Sequence, residues 1–209
     1  MIVDMPSTTV SKIGKRLQEL REAGGVVALG RVLTLIVETD LENLESAVTA
    51  ANGASKLHPS RIIVLAKDQS RGGTDRLDAE IRVGGDAGAS EVVILRAMGN
   101  AASNTESLVS GLMLPDAPVV AWWPSECSGN PSESPIGEIA SRRITDASSQ
   151  PDPMAFLQQL ATNYNPGDGD MSWTRITLWR SQLAALFDAH GHRNVEKVVV
   201  YGALSSPSA

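Results

Sequence analysis

The chain has 209 residues and a formal net charge of −6, from 18 Lys and Arg against 24 Asp and Glu. A chain of this length, with 42% hydrophobic residues, can bury a core without disulfides or metals, which argues against global disorder. The acidic balance disfavours nucleic-acid-binding proteins and basic membrane-surface proteins, because both classes need Lys and Arg to meet phosphates.

Cys127 is the one cysteine of the chain. A single cysteine excludes an internal disulfide and a Cys-rich zinc site. Cys127 stands in a segment rich in Pro and Ser, residues 124–135, which predicts an exposed loop. Its neighbour Glu126 raises the pKa of a thiol rather than lowering it, so we expect an incidental surface cysteine and not a nucleophile.

No stretch approaches the roughly 18 consecutive apolar residues of a membrane span. The first residues, Met1 to Pro6, lack the basic and apolar regions of a signal peptide. These observations predict a soluble, cytoplasmic protein with no membrane partner.

The first half of the chain alternates between helix and strand patterns. Apolar spacing and breaker residues predict a helix over 10–23 stopped by Gly24-Gly25, a buried strand over 32–37, a helix capped by Asp40 with Leu41, Leu44, Val48 and Ala51 inward and Gly53 at its end, and a buried strand over 61–66. Next come loops over 67–76 and 84–90 around an alternating strand, 77–83, of antiparallel or edge type, and a third buried strand over 91–97.

The second half continues the alternation and contains all eight aromatic residues. Its patterns first predict a helix opened by a capping box at Ser103 and Glu106, a strand over 118–123 and the loop over 124–135. They then predict a helix from Asp152-Pro153 to about Asn163 and a tight turn over 165–170. A long helix capped by Ser172, a turn over 190–194 and a strand over 195–201 follow. The long helix has an apolar stripe formed by Ile176, Trp179, Leu183, Leu186 and Phe187.

Strands alternating with helices indicate an α/β fold with a mostly parallel sheet and helices on both faces. This arrangement is Rossmann-like without the dinucleotide fingerprint, because Gly84–Gly88 lacks the required glycine spacing and joins two strands. We predict an N-terminal α/β domain over 1–150 and, over 151–209, a helical segment plus a strand that begins an incomplete C-terminal domain. Ser206-Pro207 has the pattern of a helix start, which predicts a chain truncated at its C-terminus.

Few residues form a pattern typical of catalysis. His190-Gly191-His192 could supply two metal ligands, but a turn at a helix C-terminus is the favoured interpretation. We find no paired carboxylates, nucleophile elbow or phosphate loop, so we expect no catalytic residues, no metal and no cofactor.

Two polar clusters and one aromatic pair are more informative. The clusters are His58-Pro59-Ser60-Arg61, before a strand, and Arg142-Arg143, after the long loop. Trp122-Trp123-Pro124 ends a strand, so one Trp faces the core and the other the opposite face, where an exposed indole would anchor a partner. The resulting candidates for partner binding are Trp122, Trp123, Pro124, Arg142 and Arg143.

Several of these segments together resemble a known family. They are residues 1–4 (MIVD), 30–36 (GRVLTLI), 58–64 (HPSRIIV), 120–124 (VAWWP), 141–144 (SRRI) and 173–180 (WTRITLWR). In this order they are similar to the glucose-6-phosphate dehydrogenase assembly proteins, the OpcA family, in its short actinobacterial form. The resemblance implies a non-catalytic partner that promotes assembly or activation of that dehydrogenase in the oxidative pentose phosphate pathway. It also implies a longer protein with one further domain.

Cyanobacterial members of that family are associated with redox control through cysteines, and Cys127 alone cannot form the internal disulfide such control needs. An alternative function stays open: an α/β enzyme or sugar-phosphate-binding protein using His58, Ser60, Arg61 and the Arg142-Arg143 doublet. Against it, residues 58–61 precede their strand and so lie at the amino end of the sheet, whereas such sheets bind ligands at the carboxyl end. A deep polar pocket would favour the alternative, and a broad apolar patch the partner protein.

Overall fold

The computed structural model describes residues 1–23, 30–68, 75–83 and 91–190, with Lys197, Val199 and Tyr201. In these ranges the strands are β1 (Ile2–Met5), β2 (Leu33–Asp40), β3 (Ser60–Asp68), β4 (Arg76–Val83), β5 (Glu91–Met98), β6 (Val119–Trp122), β7 (Arg142–Thr145) and β8 (Asp168–Asp170). The helices are α1 (Val10–Ala23), α2 (Leu44–Ser55), α3 (Thr105–Ser110), α4 (Pro135–Ile139), α5 (Pro153–Thr162), α6 (Met171–Arg175) and α7 (Thr177–His190).

The eight strands form one sheet in the order β1-β4-β5-β3-β2-β6-β7-β8. The six strands from β5 to β8 in this order are parallel, whereas β4 is antiparallel to both β1 and β5. The α/β fold with a mostly parallel sheet is therefore confirmed, as is the antiparallel strand predicted over 77–83.

Helices cover both faces of the sheet, as predicted. On one face α1 buries Ile13 and Leu17 against the sheet, and α3, α4 and α5 join the same apolar layer. On the other face α2 buries Leu44 and Val48 against Ile62 and neighbouring strand residues. In the described part of the chain, α2 is the helix that supplies this second layer, and it lies over β2, β3 and β5.

The predicted start of α2 is wrong by one turn. Asp40 is the last residue of β2, because pairing with β3 extends as far as Asp40 and Lys67. The helix begins at Leu44 after Asn43, whose backbone N–H donates to Oδ1 of Asp40 at 2.7 Å. Leu41 therefore lies in the connecting turn and is 42% exposed instead of facing inward.

The predicted capping box at Ser103 and Glu106 is also wrong. Residues Gly99–Ser103 form a 3₁₀ turn, which places Ser103 inside that turn rather than at a helix start. The helix that follows is short, begins at Thr105 and has Asn104 before it without a side-chain cap. The cap at Asp152 is confirmed, since its Oδ1 accepts the N–H of Ala155 at 3.0 Å.

The segment after residue 164 differs most from the prediction. The expected tight turn contains β8, which pairs with β7, and Asp170 rather than Ser172 caps the next helix. The expected long helix is divided at Ile176 into α6 and α7. The predicted stop at 24–25, the loop at 84–90, residues 69–74 of the predicted loop, and most of the turn, strand and helix start over 191–209 lie outside the described residues.

Candidate interaction surfaces

Trp122 and Trp123 face opposite sides of the sheet, as predicted. Trp123 is 2% exposed and belongs to the layer that contains α1. Trp122 is half-buried and packs beside α2 on the other face, where its buried indole N–H has no hydrogen-bond acceptor among the described residues. Trp122 and the half-buried Pro124 can therefore contact a partner, whereas Trp123 serves the core.

Arg142 and Arg143 also face opposite sides of the sheet, because side chains alternate along β7. Arg143 is 8% exposed; its Nε is ion-paired with Asp168, and its Nη1 donates to the carbonyl oxygens of Ala140 at 2.8 Å and Gly137 at 3.2 Å. Arg142 is exposed, and its side chain has no ion pair among the described residues. The predicted basic doublet thus consists of one structural clamp and one accessible cation.

An apolar groove of 330 Å³ lies on the α2 face, beside the helix. Its floor consists of the outward side chains of three neighbouring strands: Leu33, Leu35, Val120, Trp122 and Ile144. One wall is α2, through Ala50 and Ala54, and the ends are His58 and Met171. No acidic residue lines the groove within the described chain.

The sequence analysis did not identify the floor residues other than Trp122 as candidates for partner binding, although the apolar pattern of their strands points to them. Strands β2 and β6 are apolar at consecutive positions, which indicates burial on both faces. Between β6 and β7 the one α-helix is the five-residue α4, which packs on the α1 face, so the described residues leave the second face open there.

The cluster around Arg61 is buried rather than open. Nε of Arg61 donates to Oε2 of Glu91 at 2.9 Å, and its Nη1 donates to the carbonyl oxygen of Leu112 at 2.7 Å. Glu91 is 1% exposed and also accepts two hydrogen bonds from Arg21, while Arg31 lies 3.7 Å away. Three arginines therefore converge on one carboxylate at the amino ends of β3 and β5, which anchors α1 to the sheet.

Strand alternation also separates the residues that the alternative function requires. Ser60 lines the groove with His58, but Arg61 is on the opposite face, where it contacts the turn after α3. Arg142 and Arg143 are likewise on opposite faces. Arg61 and Arg143 thus point away from the groove and are held in buried ion pairs with Glu91 and Asp168, and nothing in the described residues favours the sugar-phosphate alternative.

Mostly parallel sheets bind ligands at the carboxyl ends of their strands, and in this protein that region is acidic. The strand order reverses between β2 and β6, and a cleft of 460 Å³ lies at their carboxyl ends. Its charged residues are Glu38, Asp40, Glu42, Glu126 and Lys67, and Lys67 is ion-paired with Glu38. Burial raises the pKa of Asp40, but hydrogen bonds from Asn43 outweigh it and hold that pKa below the ordinary value. This cleft repels a phosphate.

Cys127 is buried, which corrects the expectation of a surface cysteine. It is 5% exposed, and its backbone N–H donates to Oε1 of Gln150 at 3.2 Å. Burial, with a smaller contribution from Glu38, raises the pKa of the Cys127 thiol to about 12. The thiol is therefore protonated at neutral pH and is not a nucleophile.

The apolar stripe of α7 faces solvent. All described side chains from Thr177 to Ala189 are exposed, including Trp179 at 68% and Leu183 at 49%. The adjacent Trp173 stacks under the guanidinium of Arg180, with its ring centroid 3.7 Å away. Contiguous exposed apolar surface of this kind marks an interaction site.

Among the described residues, no three His, Cys, Asp or Glu side chains come together as metal ligands. No helix in the described ranges is long and apolar enough to span a membrane.

Comparison with known proteins gives two matches in sequence order. Residues 51–162 match the model of the glucose-6-phosphate dehydrogenase subunit N-terminal domain, and residues 166–209 match that of the C-terminal domain. No curated protein and no solved structure matches the chain. The first match alone covers more than half of the 209 residues. The chain therefore belongs to the OpcA family of glucose-6-phosphate dehydrogenase assembly proteins.

Proposed function

We propose that this protein is a non-catalytic, cytoplasmic partner of glucose-6-phosphate dehydrogenase that promotes assembly or activation of that enzyme. The observation that carries the proposal is the succession of two family domains along residues 51–162 and 166–209. The surface agrees with it: the described residues expose an apolar groove and an apolar helix, both typical of protein contacts. The ligand cleft of the fold is acidic, which suits neither glucose 6-phosphate nor a dinucleotide.

The direct test is a titration of the dehydrogenase from the same organism with this protein, at fixed glucose 6-phosphate and NADP. We expect a saturable rise in kcat or a fall in KM, with no NADPH formed by this protein alone. Light scattering on the same mixtures reports whether the dehydrogenase changes its oligomeric state. The heat-denatured protein is the control. An activity and an oligomeric state that are unchanged at large excess would refute the proposal.

A further inference from the structure

The groove on the α2 face is part of a sheet layer that is incomplete in the described chain. A parallel sheet normally has helices on both faces, because its strands expose apolar side chains on each side. Over β3 and β5 this cover is α2. Over β6 and β7 the side chains of Val120, Trp122 and Ile144 form the groove floor and stay accessible.

The shape of the groove fits an α-helix lying beside α2. Ala50 and Ala54 stand one turn apart on the groove side of α2, and their small side chains permit the interaxial distance of about 8–10 Å found between packed helices. Gly169 of β8 is the register partner of Ile144, so a side chain there would point into the same side of the sheet. A Cβ at Gly169 would have no heavy atom of the described residues within 4 Å, so the groove face is also open at β8.

The charged residues around the groove indicate which kind of partner helix it can bind. Arg142 is the neighbour of Val120 across β6 and β7, so its exposed side chain emerges beside the floor on this face. His58 stands exposed at one end of the groove, and no acidic side chain lines it in the described residues. An occupant with carboxylates flanking an apolar stripe would pair with Arg142, while a basic one would be repelled.

We propose that this groove receives an amphipathic helix of glucose-6-phosphate dehydrogenase, apolar on one face and flanked by Asp or Glu that pair with Arg142. The inference rests on the proposed function and assigns its contact surface. A second copy of this chain is a poorer occupant. Its own exposed helix, α7, carries one Arg and one Asp over Thr177–Ala189 and so supplies no net negative charge.

The sharpest test fills the groove without disturbing the interior. Gly169→Phe adds a side chain into open space on the groove face, and Gly14→Phe adds the same side chain to α1, on the opposite face, where a Cβ is equally unobstructed. Binding of the purified dehydrogenase is measured by calorimetry, with the unfolding midpoint of each variant as the check of folding. We expect Gly169→Phe to raise Kd about tenfold or more and Gly14→Phe to leave it unchanged.

Two variants that reverse a charge give an independent measurement if Gly169→Phe folds poorly. Arg142→Glu and Lys15→Glu make the same change of charge, and Lys15 is exposed on α1. We expect Arg142→Glu to raise Kd about tenfold, with a smaller effect in high salt, Arg142→Lys to retain most of the affinity, and Lys15→Glu to behave as wild type.

The outcomes separate the two proposals. Wild-type protein that binds the dehydrogenase, with both groove variants binding as tightly as their controls, overturns the groove assignment and leaves the proposed function standing. Wild-type protein that does not bind the dehydrogenase refutes both. A wild-type dimer that Gly169→Phe converts to monomer, with dehydrogenase binding intact, identifies a second copy as the occupant and also overturns the assignment.

Discussion

Arg143 and Arg142 are adjacent in sequence, yet they have different physical roles. Arg143 supplies the positive charge for Asp168, whose side chain is only 7% exposed, and satisfies carbonyl oxygens at the end of α4 and before β8. Arg142 contributes nothing comparable within the described structure. Removing one partner of a buried ion pair leaves the other charge uncompensated, which costs much more than removing a solvated charge.

We therefore expect Arg143→Ala to lower the free energy of unfolding by about 3–5 kcal/mol, because Asp168 would stay buried and unpaired. Arg142→Ala, the matched control, should change it by less than about 0.5 kcal/mol. Urea unfolding of the two variants, followed by circular dichroism, measures both values. Equal unfolding midpoints for the two variants would contradict the assignment of Arg143 as a clamp.

Sequence alone could identify these residues as a polar cluster but not which of them would be accessible. The alternation along β6 and β7 is certain once the strands are recognised, but the face toward the core is not, because Trp122 and Trp123 are both large and Arg142 and Arg143 are identical. The choice is made by Asp168, a partner 25 residues after Arg143. Such long-range pairing has no local signal.

At the scale of elements, α7 is the helix whose environment differs most from its pattern. Its spacing of Trp179, Leu183 and Phe187 is that of a helix packed on a core, but these side chains are exposed in the structure. A 14-residue helix is marginal on its own in water, so α7 gains from any partner that covers its stripe.

The exposed position of α7 leads to a stability prediction. Leu183→Ala should change the free energy of unfolding by less than about 0.5 kcal/mol. The same change at Leu17 of α1, which is 2% exposed, should cost about 2–5 kcal/mol because it leaves a cavity in the core. Urea unfolding of both variants provides the comparison. A cost above about 2 kcal/mol for Leu183→Ala would show that the α7 stripe is packed in solution.

Elements with strong apolar patterns were predictable, and elements without them were not. The buried strands β2, β3 and β5 are predictable because each contains a continuous apolar run rich in β-branched residues. The edge strands β1 and β8 were missed: β1 is short and half exposed, and β8 consists of Asp-Gly-Asp. They are strands because a neighbouring strand offers backbone partners, which is information that lies outside the segment.

At the scale of the whole molecule, a charge network links the layers of the α2 face. Arg82 of β4 donates two hydrogen bonds to Glu45 of α2, at 2.7 and 3.0 Å, and one to Glu80, which also accepts from Arg96 of β5. Hydrogen bonds from Arg82 hold the pKa of Glu45 below its ordinary value. Burial raises the pKa of Glu80, but hydrogen bonds from Arg82 and Arg96 outweigh it, so that pKa is lowered too.

The lowered pKa values of Glu45 and Glu80 determine how the stability of the fold depends on pH. A carboxyl whose pKa is lowered by folding stabilises the fold above its unfolded pKa, near 4.5 for Glu, and loses that contribution as the pH falls through the folded value. We expect the free energy of unfolding to fall below about pH 4.5, and Glu80→Gln to make this fall shallower. Urea unfolding from pH 7 to pH 3 tests it, with Glu106→Gln, at an exposed position of α3, as the control. A slope unaffected by Glu80→Gln would contradict this role.

The domain division predicted at residue 150 stays a prediction. The structure adds that β8, at 168–170, continues the same sheet as β7, while the two family models meet between residues 162 and 166. The fold class followed from the alternation of helices and strands. The incomplete second layer did not, because no local pattern states which stretches of a strand another helix will cover.

The two edge strands of the described sheet are short, which affects how a partner can bind this protein. β1 has four residues and β8 has three. The carboxylates of β8 are turned inward, Asp168 to Arg143 and Asp170 to the hydroxyl of Thr145. Edge strands this short offer few backbone groups to an incoming extended peptide, so β-augmentation and end-to-end growth into fibres are disfavoured at these two edges of the described sheet. In the part of the chain that the structure describes, association is therefore favoured on the broad sides of the sheet, where side chains rather than backbone amides decide which partner fits.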